Sequence, residues 1–420
     1  MNIYIQTLNR TVCMVKFELI NHSYINKKNA TYGFNDIIDN IGFSVLQISG
    51  AEVALINGLR RIFMNNIPTY AFDTKNIDIS TNNTQYHIDL IKERMSFIVI
   101  DKKKLQHMLD GNVDGHNGPN GPNSRIVSVS DLTFHICDAD NMNEPLINTT
   151  QNIIKLHAID NIKIFNKKTG SFIQNDGLIV YNSLLLTLRP KEKIHLQMFL
   201  SIGIGETHTR WQSSITMMKY ATNIDEEDVN VIESNKQLQD YIKHDDDTRK
   251  PHKILLIVES VGKMSSIDVI NEGFKAIKKK IITFKNKLDA SVDETLNRND
   301  DGGVEETKGE WEDDTFETNN PVIVIYMNNE MNIPNMIKLK IENEGHTLGN
   351  ILRAYCLSYL LNHTETNNNI KDCLVSYRVP HPLKNEIEIL LKTNERIKPI
   401  KLLYKSIDNI LKDLNKFTYT

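Results

Sequence analysis

One short pattern occurs twice in this chain of 420 residues. Leu55-Ile56-Asn57-Gly58-Leu59-Arg60 and Leu348-Gly349-Asn350-Ile351-Leu352-Arg353 share Leu, Asn, Leu and Arg at a constant offset of 293. Within each copy the two matching leucines are four residues apart, on one face of a helix. Asn57 and Asn350 are unusual inside a helix, because the amide competes for backbone hydrogen bonds. A repeated Asn predicts a fixed partner, such as a loop backbone. Arg60, Arg61 and Arg353 carry fork-shaped donors suited to carboxylates across an interface; a solvated helix face is the plain alternative. Each copy is followed by strands and then by a long amphipathic helix. The chain therefore reads as two related units, the second shorter.

The helical rhythm is clear in three places. Val53, Leu55, Ile56, Leu59, Ile62 and Phe63 predict a helix over 51–66, ended by Pro68. Ile267, Ile270, Phe274, Ile277, Ile281, Phe284 and Leu288 recur in steps of three and four, predicting a helix over 266–288. Ser265 and Asp268 form a capping-box pattern at its start. Ile400, Leu403, Ile407, Ile410, Leu414 and Phe417 predict a third over 400–417. Strands are expected at 12–20, 184–188, 194–202 and 253–259, so the fold class is α+β. Residues 77–220 read as more strand than helix.

Two segments interrupt this pattern. Residues 289–318 hold twelve acidic side chains against Arg298 and Lys308, a net charge of −10. Such a run self-repels and buries little, so 289–320 is expected to be a flexible linker, with an acidic interaction segment as the alternative. The whole chain carries −4, which leaves +6 for the remainder. Residues 111–124, rich in Gly, Asn and Pro, predict a surface loop, and the polar runs 225–228 and 245–247 are read as loops or solvated faces.

Composition excludes several classes. The overall charge offers no global field for nucleic acid. Cys13, Cys137, Cys356 and Cys373 are far apart and form no CxxC pair, which argues against a disulfide framework or a four-cysteine zinc site. No apolar run reaches 18 residues, and no basic start precedes a long apolar core, so neither a membrane span nor a secretory signal is expected. The 48 asparagines and 54 isoleucines are an AT-rich codon signature.

At the repeated motif the chain resembles the α-like subunits of multisubunit RNA polymerases. Leu55–Phe63 and Ile67–Asp73 are similar to the signature of the third subunit of eukaryotic RNA polymerase II. Ile91–Ile98, Gly203–Trp211 and Val258–Gly262 resemble later segments in the right order. Glu344–Arg353 and Tyr377–Leu383 resemble the eleventh subunit, with Thr393 in the expected strand. The resemblance covers nearly all of 12–288 and 321–417. Departures are Ile56 and Gly345, and a single cysteine, Cys137, where the third subunit usually has a cysteine-rich zinc loop. No metal and no cofactor are expected.

The resemblance implies two dimerisation units paired within one chain as a pseudo-heterodimer. The third-subunit-like unit takes 1–74 and 190–288, interrupted by a β-rich domain at 75–189. The eleventh-subunit-like unit takes 321–420. The pairing interface is expected at Leu55, Asn57, Leu59, Ile62, Phe274, Ile277, Ile281, Leu348, Asn350, Leu352, Ile407, Ile410 and Leu414. Contacts to large subunits are expected from Arg60, Arg61, Glu206, His208, Trp211, Arg353 and His381. Core or loop packing is the alternative for His208 and Trp211.

The role so implied is a non-catalytic platform on which the largest and second-largest polymerase subunits assemble. Small subunits resembling the tenth and twelfth would be further partners, with one copy of the chain per complex and nucleic acid touched only indirectly. Fusion of the two units, with the AT-rich bias, suggests a large nucleocytoplasmic DNA virus. The location would then be intracellular, in the host cytoplasm and the virion, with the nucleus as the alternative. Two rival readings stay open. Gly203-Ile204-Gly205 can be read as a phosphate-cradling loop of a nucleotide-binding enzyme, although it lacks a Gly-Lys-Ser/Thr ending. Lys102-Lys103-Lys104 and Lys278-Lys279-Lys280 can be read as direct nucleic-acid contacts.

Overall fold

The computed structural model describes residues 16–20, 42–109, 128–138, 141–221, 253–300, 322–326, 335–363, 373–394 and 397–416. Cys13, Phe417, the loop at 111–124, the polar runs at 225–228 and 245–247, and the acidic run beyond residue 300 lie outside them.

The first unit opens with strands β1 (Lys16–Ile20) and β2 (Phe43–Ser49) and helix α1 (Val53–Asn65). An inserted domain follows: β3 (Thr69–Asn82), α2 (Ile88–Ser96), α3 (Lys102–Leu109), β4 (Leu132–Ile136), β5 (Leu146–Ile147), β6 (Ile154–His157), α4 (Ala158–Asn161), β7 (Lys163–Asn166), β8 (Ser171–Ile173), β9 (Leu184–Leu188) and β10 (Lys193–Gly203). The first unit then resumes with β11 (Ser214–Ala221), β12 (Lys253–Ser260) and α5 (Ser266–Asp300). The second unit comprises β13 (Val322–Tyr326), β14 (Met336–Glu342), α6 (His346–His363), β15 (Leu374–Arg378), β16 (Glu386–Lys392) and α7 (Pro399–Asn415).

With the insert set aside, both units run β-β-α-β-β-α. Their antiparallel sheets have the orders β1-β2-β12-β11 and β13-β14-β16-β15, in which the fourth strand of each unit pairs with the second. The repeat inferred from six residues is thus a repeat of topology. The motif helices α1 and α6 occupy the same place, after the second strand. The second unit shows how the strand pattern produces this. Ile337, Leu339 and Ile341 alternate inward on β14, as the period of a strand requires. Between them Lys338 and Lys340 point away and pair with Glu388 at 2.8 Å and Glu386 at 3.1 Å on β16.

The insert has its own sheet, β3-β10-β4-β7-β8 with β5 on β10, and a separate β6–β9 pair. Its core is distinct from that of the two units, with Phe72 and Phe134 edge-to-face at 4.9 Å. The sheet claims Thr69 to Gly203 and so reaches past the expected 75–189 at both ends. The helices α2 and α3 fall in a region whose pattern predicts more strand than helix. Each is under ten residues and bears few buried apolar side chains, too short for a 3.6-residue period to declare itself.

A second difference lies in α5, which continues to Asp300 where an end at Leu288 and a linker from 289 were expected. The start of this extension is held by the fold. Tyr404 donates its hydroxyl to Asp289 Oδ1 at 2.6 Å, Ser291 is buried with its Oγ on the Val322 carbonyl at 2.5 Å, and Val292 packs against the core. Tertiary contact overrides a local charge pattern. At the other end Ser265 caps the helix, its Oγ accepting from Asp268 N at 3.1 Å and donating to the Asp268 carboxylate at 2.6 Å.

Candidate assembly interface

The two motif helices meet. α1 packs on α6, and α5 packs on α1, α7 and β13. Gly58 marks the crossing: a Cβ there would stand 2.6 Å from Ile351 Cδ1, so the missing side chain lets the helices close together. Gly273 plays the same part on α5, where its bare backbone faces the Phe63 ring. Phe63 and Phe274 then lie with centroids 6.0 Å apart.

The apolar residues expected at the pairing interface gather into one continuous core that belongs to both units. Leu55, Leu59 and Ile62 of α1, Phe274, Ile277 and Ile281 of α5, Leu348 and Leu352 of α6, and Ile407, Ile410 and Leu414 of α7 are all at most 2 % exposed within it. Each such side chain contributes about 1.5–3 kcal/mol on burial. Asn57 and Asn350 are half-buried at its margin. The partner of Asn57 is not a loop backbone. Its Oδ1 accepts from Arg60 Nε at 3.1 Å, three residues on, so the Asn fixes the neighbouring arginine of the motif.

Polar links cross the same seam. Lys280 pairs with Glu344 at 3.0 Å and Lys285 with Asp408 at 3.0 Å. Burial pushes the Glu344 carboxyl above its ordinary value, although the Lys280 ammonium pulls the other way. Tyr355 donates to Asp413 at 2.9 Å, joining α6 to α7, and burial beside that carboxylate raises its phenol well above the usual value. Cys356, in the same core, has its thiol pushed up to about 11 by burial.

The Gly203–Trp211 stretch forms a clasp between the insert and the first unit. Trp211 is only 8 % exposed, and its ring packs against Gly203, where a Cβ would clash with it. A Cβ on Gly205 would meet the Met64 carbonyl at 2.5 Å. These glycines make room for packing, and the phosphate-cradle reading is corrected: the space a phosphate would need is filled by Trp211 and the end of α1. Glu206 ties down that end, its N–H on the Asn65 carbonyl and its carboxylate on Asn66 Nδ2 at 2.9 Å. His208 accepts from Arg210 N at 3.1 Å and packs against Phe97 and Trp211. Trp211 is therefore turned inward, as the packing alternative has it, and His208 is half-buried beside it.

Three partners in the clasp were not singled out from the sequence. Arg210 is buried, paired with Asp73 at 3.2 Å and Glu93 at 3.9 Å, and stacked over Trp211. Lys263 is buried with its ammonium on the Arg210 carbonyl and the Thr69 hydroxyl, and burial pulls it down to about 7. Arg210 and Asp73 stand inside segments that carry the family resemblance, and Lys263 follows one directly. Nothing local in sequence links them.

The remaining expected contacts are dispersed over the surface. Arg60 and Arg61 are half-exposed on α1, Arg353 is exposed on α6, Glu206 is exposed in the clasp, and His381 is exposed in the turn before β16. The basic run at 102–104 is engaged within the chain, and of the run at 278–280 Lys280 pairs with Glu344. Lys102 donates to the Pro68 carbonyl at 3.0 Å, Lys104 to the Asp176 carbonyl at 3.2 Å, and Lys103 faces Asp268 at 3.8 Å. This weakens the reading of 102–104 as a nucleic-acid contact. Cys137 and Cys356 are buried and Cys373 is half-buried. Among the described residues no helix is long and apolar enough to cross a membrane.

Fold and seam together define a chain that contains both halves of a helix-paired heterodimer. The sequence matches the RNA polymerase Rpb3/Rpb11 dimerisation domain over residues 45–281 and again over 336–420. The chain belongs to that family, as a fused Rpb3- and Rpb11-like protein. The chain is 23 % identical over 199 residues to subunit rpac1 of DNA-directed RNA polymerases I and III from Dictyostelium discoideum, covering 46 % of this chain and 53 % of that one. It is also 22 % identical over 176 residues to RNA polymerase subunit Rpo3 of Aeropyrum pernix, covering 42 % of this chain and 54 % of that one. A stretch of 83 residues is 35 % identical to subunit Rpo11 of Sulfurisphaera tokodaii, covering 20 % of this chain and 78 % of that one. The chain thus spans about half the length of the rpac1 and Rpo3 relatives.

Proposed function

We propose that this chain is the assembly platform of a multisubunit DNA-directed RNA polymerase. It catalyses nothing itself and nucleates assembly of the two large catalytic subunits. The carrying observation is the shared core: a pairing that separate subunits would make between molecules is made here inside one. One copy per complex then suffices. Arg60, Arg61, Arg353, Glu206 and His381 are available at the surface for the large subunits, while His208 and Trp211 act indirectly by holding the clasp. Small subunits resembling the tenth and twelfth are further partners. The fusion and the AT-rich composition support transcription by a large DNA virus, in host cytoplasm and virion.

Affinity purification of the chain from its native source, with identification of co-purifying proteins, tests this reading. Two very large polymerase-like subunits are expected in stoichiometric amounts. Their absence overturns the proposal. Charge reversal at Arg60 and Arg61 is expected to reduce their recovery by about tenfold, the loss of a central interface residue pair, with thermal stability unchanged.

A further inference from the structure

A cleft of about 480 Å³ lies between α5, the end of α1 and the first strands of the second unit. Its apolar floor includes Ile62, Phe284, Val322 and Ile341, and lysines rim it. Lys275 and Lys280 are matched by Glu272 and Glu344. Lys279 and Lys287 form no ion pair among the described residues, although Glu344 also feels the Lys287 charge; the four lysines of the lining stand against three carboxylates, Glu272, Glu342 and Glu344, which leaves one positive charge in excess.

The chain itself delivers an acidic segment to this place. Val322 is both a wall of the cleft and the point at which the second unit begins. Whatever precedes it emerges there. Residues 301–318 carry eight acidic side chains against Lys308 alone, with Trp311 and Phe316 among them. The gap to be bridged is short. Ser291 of α5 touches Val322, and nine further helical residues carry the chain only about 14 Å away. The 21 residues 301–321 can span roughly 70 Å. So much surplus chain holds its side chains near the cleft at an effective concentration of order millimolar.

We propose that the acidic segment 305–318 docks into this cleft of its own chain, its carboxylates against Lys279 and Lys287 and an aromatic side chain on the apolar floor. The two units are thereby joined by a charged contact as well as by the covalent connection. The inference is independent of the polymerase role.

Carbodiimide cross-linking of the full chain, read by mass spectrometry, tests it. Cross-links from Lys279 or Lys287 to carboxylates of 305–317 are expected, alongside the Lys285–Asp408 pair as internal control. They are expected to vanish at about 1 M salt, where screening acts within roughly 3 Å. In the Lys279→Glu/Lys287→Glu variant, cleavage by a Glu-specific protease within 305–317 is expected to accelerate at least about fivefold, while the Lys285–Asp408 cross-link persists. Absence of the segment cross-links with the control present, or equal cleavage rates in both proteins, overturns the proposal. So does a mixed-isotope sample in which the cross-links run between molecules, which assigns the cleft to a second copy.

Discussion

Gly58 sets how closely the two units approach, because its missing side chain is replaced by Ile351 of the other unit. Gly58→Leu is expected to lower stability by about 1–3 kcal/mol through overpacking. Gly345→Ala, which meets nothing within 4 Å, is the control and is expected to stay within about 0.5 kcal/mol. Chemical denaturation of the two variants decides it.

Lys263 makes a pH prediction. Its folded value is about 7, below the unfolded lysine value near 10.4, so between these limits the unfolded chain binds more protons. Stability is expected to rise with pH from about 7 towards 10, and to be lost again as pH falls. Lys263→Met is expected to flatten that rise by as much as one proton's slope. An identical slope in both proteins would show that Lys263 is not responsible. At this scale the sequence was partly legible. The leucines of the motif announce burial by spacing alone, but the partner of Asn57 and the inward turn of Trp211 depend on neighbours that spacing does not encode.

At the scale of elements, α7 and the first six turns of α5 follow from apolar residues at steps of three and four. The extension of α5 to Asp300 does not, because its supports, Tyr404 and Val322, lie over a hundred and about thirty residues away in sequence. Tyr404→Phe removes the hydroxyl from Asp289 and is expected to cost about 0.5–1.5 kcal/mol, with faster amide exchange confined to the end of α5. Ile281→Ala, in the middle of the shared core, is expected to cost about 2–5 kcal/mol. Because that core is common to both units, calorimetry of the variant is expected to show the two units losing stability together. The insert, with its separate core, is expected to keep its own transition. The short helices of the insert escaped sequence reading for the converse reason: they take their place from the sheet they pack on.

For the whole molecule, two units of one topology are joined and paired, and the acidic run is divided between the end of a helix and the connection to the second unit. The repeat was legible because the motif helices of both units had to keep the same buried face. The shared seam was legible only as an implication of resemblance, since no single residue states which surface its partner comes from. The molar mass of the purified chain, before and after proteolytic cleavage between residues 301 and 321, tests this pairing most directly. A single particle of 48.2 kDa is expected to keep its mass and its cooperative unfolding after cleavage, both fragments remaining bound. A symmetric dimer of twice that mass held through α1 and α6, or fragments that separate as independently folded species, would contradict it.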